Sequence, residues 1–332
     1  MKPNREPLIS VVLPTYNVAQ YLRQCLESVA AQTYHNIEVI IIIDGATDGS
    51  YEIAQDFCKT DKRFSVFWQE NAGSGPARNN GLAHCQGEFV MFVDPDDWIE
   101  PELLENLYEA QQDGDYDLVA STRIKAKCST DGRVKKIIPR HLTDETFVGQ
   151  NDVRKAYMRM LRIAVVSAPT EKLYKMSLIR ENSIEFPALK RSQDIVFNYR
   201  YYNHITSVRL VSYSGYYYRD MPPQTAGKSH ADYYKTIILL WNELKAMFHS
   251  WKMDFPEQEM CEWFFHKRIY SNLRKAVAQG WDMTLLVEEP TIRHIIERTK
   301  PAAQHLKLIK RLVMTRSYKS LAIFLKIIIR IK

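Results

Sequence analysis

Cysteine is scarce in this 332-residue sequence. Its five thiols, Cys25, Cys58, Cys85, Cys128 and Cys261, are odd in number and widely spaced, with no Cys-x-x-Cys pair. That spacing excludes a disulfide framework and a cysteine-based zinc site, and fits the reduced thiols of a cytoplasmic protein. Long apolar runs are lacking too. A membrane-spanning helix needs about 18 or more uninterrupted apolar residues, whereas the longest runs here are Val39 to Ile43 and the lysine-interrupted Leu321 to Ile331. The short polar segment Met1 to Pro7 has no secretion-signal core. Glycine is absent where a dinucleotide-binding turn would need it: the first apolar segment is followed by Tyr16-Asn17-Val18-Ala19-Gln20, and no P-loop occurs elsewhere. Acid is absent from the C-terminus. Between Pro301 and Lys332 stand eight Lys and Arg and no Asp or Glu, so of the formal net charge of +6 that segment supplies +8 and the other 300 residues −2. A nucleic-acid-binding body is excluded, because counterion release needs its cations on the groove-facing surface rather than in one tail.

What is present is an ordinary globular composition, 45% hydrophobic and 25% charged, over a length that can bury a sizeable core. Leu8 to Pro14 is an apolar, β-branched run that predicts a buried strand; Ala19 to Ala31 has Tyr21, Leu22, Cys25, Leu26 and Val29 at helical spacing. Strands at Ile37 to Ile43, Ser65 to Trp68 and Glu88 to Val93 alternate with helices at Tyr51 to Thr60, Pro76 to Cys85 and Pro101 to Gln111. This alternation predicts an α/β fold with a mostly parallel sheet and helices on both faces. Ligands of such sheets bind at the carboxyl ends of the strands, where the topology switches. Six of the twelve glycines fall between residues 45 and 87, around those ends. Beyond about residue 150 come helices and short aromatic strands, including Val208 to Arg219, and beyond Asp232 helices alone.

Asp94-Pro95-Asp96-Asp97 follows the strand ending at Val93 directly. Two carboxylates at a strand end can converge on one hard divalent cation, which usually takes one or two carboxylates together with phosphate oxygens. The same tetrapeptide is also good turn and helix-capping chemistry, and the residues alone leave both readings open.

Three further segments, with that one, resemble the inverting family 2 glycosyltransferases of the GT-A fold. They are Ser10 to Asn17 (SVVLPTYN), Ile43 to Ser50 (IDGATDGS) and Asn71 to Gly81 (NAGSGPARNNG), followed by Gly87 to Asp97 (GEFVMFVDPDD). The resemblance covers residues 8 to about 120 and implies a UDP-sugar donor. It places Pro14, Thr15, Tyr16 and Asp44 around the uracil, Arg78 on the nucleotide, Asp94 near ribose and metal, and Asp96 as main protein ligand of Mn²⁺ or Mg²⁺. Ile43 and Ala46 depart from the residues many relatives carry. The general base of inverting transfer corresponds to Asp194, in Ser192-Gln193-Asp194, where the usual Glu is replaced by Gln193; a helix N-cap at Asp194 is compatible with that role. The Gln-Asp-Ile form is similar to enzymes that extend lipopolysaccharide core. Arg219, Lys228 and His230 would sit on or beside a mobile loop closing over the diphosphate, and Trp98 beside the acceptor pocket or in the core.

The expected organisation is a GT-A domain over 1–235, with a donor half of about 8–120 and an acceptor half of about 121–235. A helical region with a basic amphipathic tail follows over 236–332. The resemblance implies a glycan or lipid-linked saccharide acceptor in surface polysaccharide assembly. The expected location is cytoplasmic, peripheral on the inner face of the cell membrane through the tail if its Lys and Arg meet an anionic surface, or with the tail packed on the protein. The alternative of a different class is a non-catalytic nucleotide-sugar-binding scaffold of the same fold.

Overall fold

The structure, a computed structural model, describes residues 6–222 and 234–331. The chain divides into two compact units, 1–225 and 226–332. The first unit runs β1 (Ile9–Thr15), α1 (Ala19–Ala30), β2 (Ile37–Asp44), α2 (Ser50–Thr60), β3 (Phe64–Gln69), α3 (Ser74–His84), β4 (Phe89–Phe92), β5 (Trp98–Ile99), α4 (Leu103–Gln112), β6 (Leu118–Ala120), β7 (Arg123–Cys128), β8 (Val134–Ile138), β9 (Glu145–Val148), α5 (Gln150–Arg162), β10 (Lys172–Lys175), α6 (Met176–Glu181), α7 (Gln193–Tyr202), β11 (Ser207–Leu210) and β12 (Tyr216–Asp220). The expected mixed α/β architecture is the one observed.

Eight strands form one sheet in the order β3-β2-β1-β4-β10-β6-β11-β9. The first four are parallel, and β10 enters antiparallel between β4 and β6. Strand β1 is central, which is why all seven of its residues are buried and its sequence is apolar without alternation. Its residues Ile9, Val11 and Leu13 share a core with β2 and with Leu22, Cys25, Leu26 and Val29 of α1 and Leu103, Leu104 and Leu107 of α4. Val12 faces α3, and a Cβ on Gly81 would stand 2.3 Å from Val12 Cγ1. Only glycine lets α3 lie that close to the strand.

Four strands form a second, smaller sheet in the order β5-β12-β7-β8. The aromatic stretch expected as strand from Val208 to Arg219 is therefore two strands in two sheets, separated at Val211 to Gly215. Residues Ser212, Ser214 and Gly215 carry the chain from one sheet to the other, a break that strand propensity alone hides.

The second unit is helical: α8 (Tyr234–Ser250), α9 (Glu257–Phe264), a π-helical turn (Phe265–Ile269), α10 (Tyr270–Gln279), α11 (Thr284–Val287), α12 (Pro290–Arg298), α13 (Gln304–Met314) and α14 (Tyr318–Ile331). Trp241 meets Phe255 and Phe264 edge to face in its core. The basic tail packs by one face only: Leu306, Ile309 and Val313 of α13 and Leu321 and Leu325 of α14 are buried, while Ile323 and Ile327 are 62% and 50% exposed. None of the described helices is long and apolar enough to cross a membrane.

Candidate active site

The carboxyl ends of β1, β2 and β4 lie on one edge of the large sheet, since Thr15 is opposite Ile43 and the Val93 amide donates to Val12 O at 3.0 Å. There the parallel run meets antiparallel β10, so the residues following these strands gather at the topological switch. At the end of β1, Pro14 and Thr15 are buried and Tyr16 is 50% exposed, beside Asn17 in the left-handed region at φ +47°.

Asp44, at the end of β2, is buried. Its Oδ1 accepts from Gln69 Nε2 at 2.7 Å and the Ala72 amide at 2.8 Å, and its Oδ2 accepts from the Gly73 amide at 2.9 Å. A carboxylate has about four acceptor positions, so three serve to brace the loop that opens α3. Gly45 beside it has φ +68°, and a Cβ there would stand 2.8 Å from the Asn71 amide.

That loop delivers Arg78, which is buried. Its Nη2 donates to Asp94 Oδ1 at 2.6 Å, and its guanidinium lies 5.4 Å from the Phe186 ring centroid. Its Nε and Nη1 are buried and unpartnered. Stranded donors of this kind cost about 1–3 kcal/mol each unless a ligand accepts from them. Beside Asp94, Asp96 is half-buried, and burial, then the Asp94 charge, push its carboxyl up to about 6. Asp94 and Asp96 are thus hard oxygen donors with excess negative charge. They fit a divalent ion that also takes ligand phosphate oxygens. Among the described residues no three His, Cys, Asp or Glu side chains form a metal site by themselves.

Asp97 has a different task. Its carboxylate, 1% exposed, accepts from Tyr216 Oη at 2.9 Å and from the Arg219 amide at 2.7 Å; burial, then Asp96, hold it well above the ordinary carboxylate range. Tyr216 Oη in turn accepts from the Asp94 amide at 3.0 Å. Arg219, expected at the end of an aromatic strand beside a mobile loop that would close over the diphosphate, is on a strand, with its guanidinium turned to structural partners. It is a buried residue of β12 whose Nε donates to Asp96 O at 2.6 Å, Nη1 to Gly132 O at 3.1 Å and Nη2 to Gln24 Oε1 at 2.7 Å. Its guanidinium lies 4.5 Å from the Tyr21 ring centroid and 4.7 Å from that of Trp98. A guanidinium held by three acceptors and two rings positions the Asp96 backbone. Lys228 and His230 lie outside the described residues. Trp98 stacks on Tyr217 at 5.0 Å and belongs to the frame of the small sheet.

Asp194 is the second residue of α7, half-buried, in the first turn, where the helix dipole favours a carboxylate. The residue at the N-cap is Ser192, in the left-handed region at φ +62°, so Asp194 is not the cap. Two links hold α7 and the loop before it against α3. Gln193 Nε2 donates to Ser74 Oγ at 2.6 Å, and Asn79 exchanges two hydrogen bonds of 2.8 Å with the Phe186 backbone.

Sequence reading missed a group of charges between Asp94 and Asp194. Lys172, fully buried in β10, donates to Ala168 O at 2.6 Å and Thr170 O at 3.1 Å. Burial pushes it down to about 8, against the opposing pull of Glu171 and, more weakly, Asp194. Glu171 is buried in the left-handed region at φ +53° and accepts from Thr170 Oγ1. Arg123 opens β7 with its guanidinium 4.9 Å from the Tyr218 ring centroid; burial would weaken its charge, but Glu171, the two tyrosines and Asp94 hold it more firmly protonated. A charged residue at the buried position of a short strand, as Lys172 is, was the available signal.

Residues 10–178 match the profile described as Glycosyl transferase family 2. Among curated proteins the chain is similar to EpsH of Bacillus subtilis (strain 168), 35% identical over 217 residues, covering 64% of this chain and 61% of that one. It is similar also to Glycosyltransferase GlyG of Streptococcus pneumoniae serotype 4 (strain ATCC BAA-334 / TIGR4), 33% identical over 215 residues and covering 64% and 70%. The chain thus spans less than two thirds of EpsH. Among solved structures, S. aureus TarS 1-349 in complex with UDP-GlcNAc superposes with a TM-score of 0.69 at 21% identity, covering 96% of this chain and 90% of that one, which shows a shared fold.

Proposed function

The chain belongs to glycosyl transferase family 2, and from that premise we propose that it moves a sugar from a UDP-sugar to a glycan or glycolipid acceptor, with inversion, in surface polysaccharide assembly. The observation that carries the reading is Arg78, buried with two unpartnered nitrogens beside Asp94 and Asp96. A diphosphate, with oxygens on two phosphates, is the ligand that such unsatisfied donors and an adjacent divalent ion would share. The TarS proteins of Staphylococcus aureus, 29% identical over 243 residues, are named poly(ribitol-phosphate) beta-N-acetylglucosaminyltransferases, which makes UDP-GlcNAc the first donor to try.

In this reading Thr15, Tyr16 and Asp44 hold the nucleotide at the ends of β1 and β2. Asp96, with Asp94, would hold Mn²⁺ or Mg²⁺, which when bound neutralises the charge growing on the departing diphosphate. Asp194 takes the proton from the acceptor hydroxyl as that oxygen attacks the anomeric carbon opposite the leaving group. Arg219, through Asp96 O, and Tyr216, between Asp94 and Asp97, hold the carboxylates in place.

The test is UDP release from a panel of UDP-sugars by the purified full chain, with Mn²⁺ or Mg²⁺ and without, in the presence and absence of saccharide acceptors. UDP-sugar binding with no turnover on any acceptor would replace the enzyme by a binding scaffold. For location, we propose that α14 rests on the anionic inner face of the cell membrane through exposed Ile323 and Ile327, flanked by Lys319 and Lys326. Ile323→Ser with Ile327→Ser should then reduce sedimentation with phosphatidylglycerol vesicles, and unchanged sedimentation would refute it.

A further inference from the structure

The chain holds a second concentration of positive charge, distinct from its tail. Residues 123 to 140 contain seven Lys and Arg (Arg123, Lys125, Lys127, Arg133, Lys135, Lys136, Arg140) and one acid, Asp131. Residues 1–300 sum to −2, so this excess of six within eighteen residues is a local feature, and it maps onto one hairpin, β7–β8.

Strand alternation arranges it. Along β7, Ile124, Ala126 and Cys128 are buried, while Lys125 and Lys127 are exposed and Arg123 half-buried, so the three cations share one face. At about 6.6 Å per two residues they form a row that starts beside the carboxylate site, where Arg123 feels Glu171 and Asp94, and runs outward. On β8, Lys136 is directly opposite Lys127 in the antiparallel register and extends the row. Asp220 neutralises Lys125 at 2.9 Å, and Asp131 pairs with Arg133 at 2.8 Å. Among the described residues no acid lies within 4.0 Å of Lys127, Lys135, Lys136 or Arg140.

Lysines on a sheet edge commonly guard against unwanted strand pairing, and β8 is an edge. That explains Lys135 and Lys136; Lys127, on an inner strand, has Asp220 opposite it on β12, but that carboxylate is taken by Lys125 at 2.9 Å and leaves Lys127 facing Lys136. Two lysines facing each other across a ladder destabilise it, a cost that an anion between them would reverse. The hairpin is also fixed to the site. Gly132 O in its turn accepts from Arg219, whose Nε holds Asp96 O, and Asp131 O accepts from Gln20 Nε2 of α1 at 3.1 Å.

We propose that this face binds the acceptor, and that the acceptor is an anionic polymer, a saccharide or polyol chain bearing carboxylates or phosphates, led along Lys136, Lys127 and Arg123 to the carboxylate site. A row one residue wide on a two-stranded ribbon fits a linear chain better than a planar surface. The proposal rests on the transferase reading and specifies its acceptor.

The probes are size-defined polygalacturonate and inorganic polyphosphate, with neutral dextran and phosphatidylglycerol vesicles for comparison, bound to the full chain at low and moderate salt. The expected result is binding of a polyanion but not dextran, weakening as salt rises. Lys127→Gln with Lys136→Gln should weaken it about tenfold and flatten the salt dependence, as removal of two facing cations should. Lys127→Arg with Lys136→Arg should bind as the wild type does; a loss shared by both pairs would overturn the charge argument. Equal binding of polyanion by the Gln pair and wild type would overturn the proposal. So would a Gln pair that loses vesicles but keeps polyanion, which would make the face a membrane contact. Wild-type protein that releases UDP yet binds polyanion no better than dextran overturns the acceptor alone; polyanion binding without UDP release overturns the transferase reading and leaves the surface standing.

Discussion

Arg78→Met separates what the buried guanidinium does for stability from what it does for the ligand. Breaking a buried ion pair usually destabilises by about 3–5 kcal/mol, because a charge is left unpaired out of water. Here the abandoned partner, Asp94, is 30% exposed and stays hydrated. Meanwhile Nε and Nη1, unpartnered in the free protein, disappear, relieving about 1–3 kcal/mol each. The two contributions nearly cancel, so the ligand-free variant should stay within about 1 kcal/mol of wild type, a Tm change of a few degrees or less. Binding should respond in the opposite sense. Two charge-assisted hydrogen bonds to a diphosphate are worth at least about 3 kcal/mol together, or about a hundredfold in Kd. Calorimetric titration of UDP into both proteins, with thermal melts in the absence of UDP, measures both quantities. The reasoning fails if the variant binds UDP within threefold of wild type, or if its melt drops as a broken core ion pair requires.

Asp194→Asn should lower turnover by about 10²–10⁴-fold while UDP affinity is kept, since a positioned base contributes about that much; near-normal turnover would remove Asp194 from the base role. Asp96, with its pKa near 6, should couple metal to pH: stimulation by Mn²⁺, measured as rate against Mn²⁺ concentration from pH 5 to 8, should weaken as pH falls through 6 and the carboxyl takes a proton. Because that pKa lies above the unfolded value, the stability it contributes is fully present below about pH 4 and lost as pH rises through 6. Asp96→Asn should therefore raise the metal-free Tm at pH 7 and abolish metal stimulation, and a lower Tm would contradict this. Gly81→Ala drives a methyl against Val12 Cγ1 and should destabilise by about 1–3 kcal/mol in urea unfolding, with Gly49→Ala as the uncrowded but positive-φ comparison.

The strands of the first hundred residues could be read because their burial on both faces writes itself as unbroken Ile, Val and Leu. Asp94 and Asp96 could be singled out because a carboxylate pair directly follows such a strand, but the same tetrapeptide suits a turn, and it is the resemblance of the neighbouring segments that favours the metal reading. Residues whose meaning depends on distant partners could not. Arg219 can be read as the end of an aromatic strand, but its bracing role emerges only when Gln24, Gly132 and Asp96 are brought around it from three separate segments. Glu171, Lys172 and Arg123 become one group only when β10 and β7 are placed in their sheets. Val208 to Arg219 carries a break signal in Ser212, Ser214 and Gly215, but its division between two sheets depends on which neighbours β11 and β12 find. Asp97, adjacent to Asp96 in the chain, differs from it through its fuller burial and two donors 119 and 122 residues away, the Tyr216 hydroxyl and the Arg219 amide.

The placement of β10 between β4 and β6 bears on how such a protein can be re-engineered. Residues 172–175 complete the hydrogen bonding of a strand that ends at residue 92. A fragment stopped at residue 120 would therefore expose β4 as a raw apolar edge, of the kind that recruits other chains. Exchanging whole halves between relatives would transplant β10 together with Lys172 and so disturb the sheet on which Asp94 and Asp96 are placed. The β7–β8 hairpin, by contrast, can be exchanged by cutting at its two ends without removing a strand from the large sheet, which makes it the segment to graft when the proposed acceptor surface is tested between relatives.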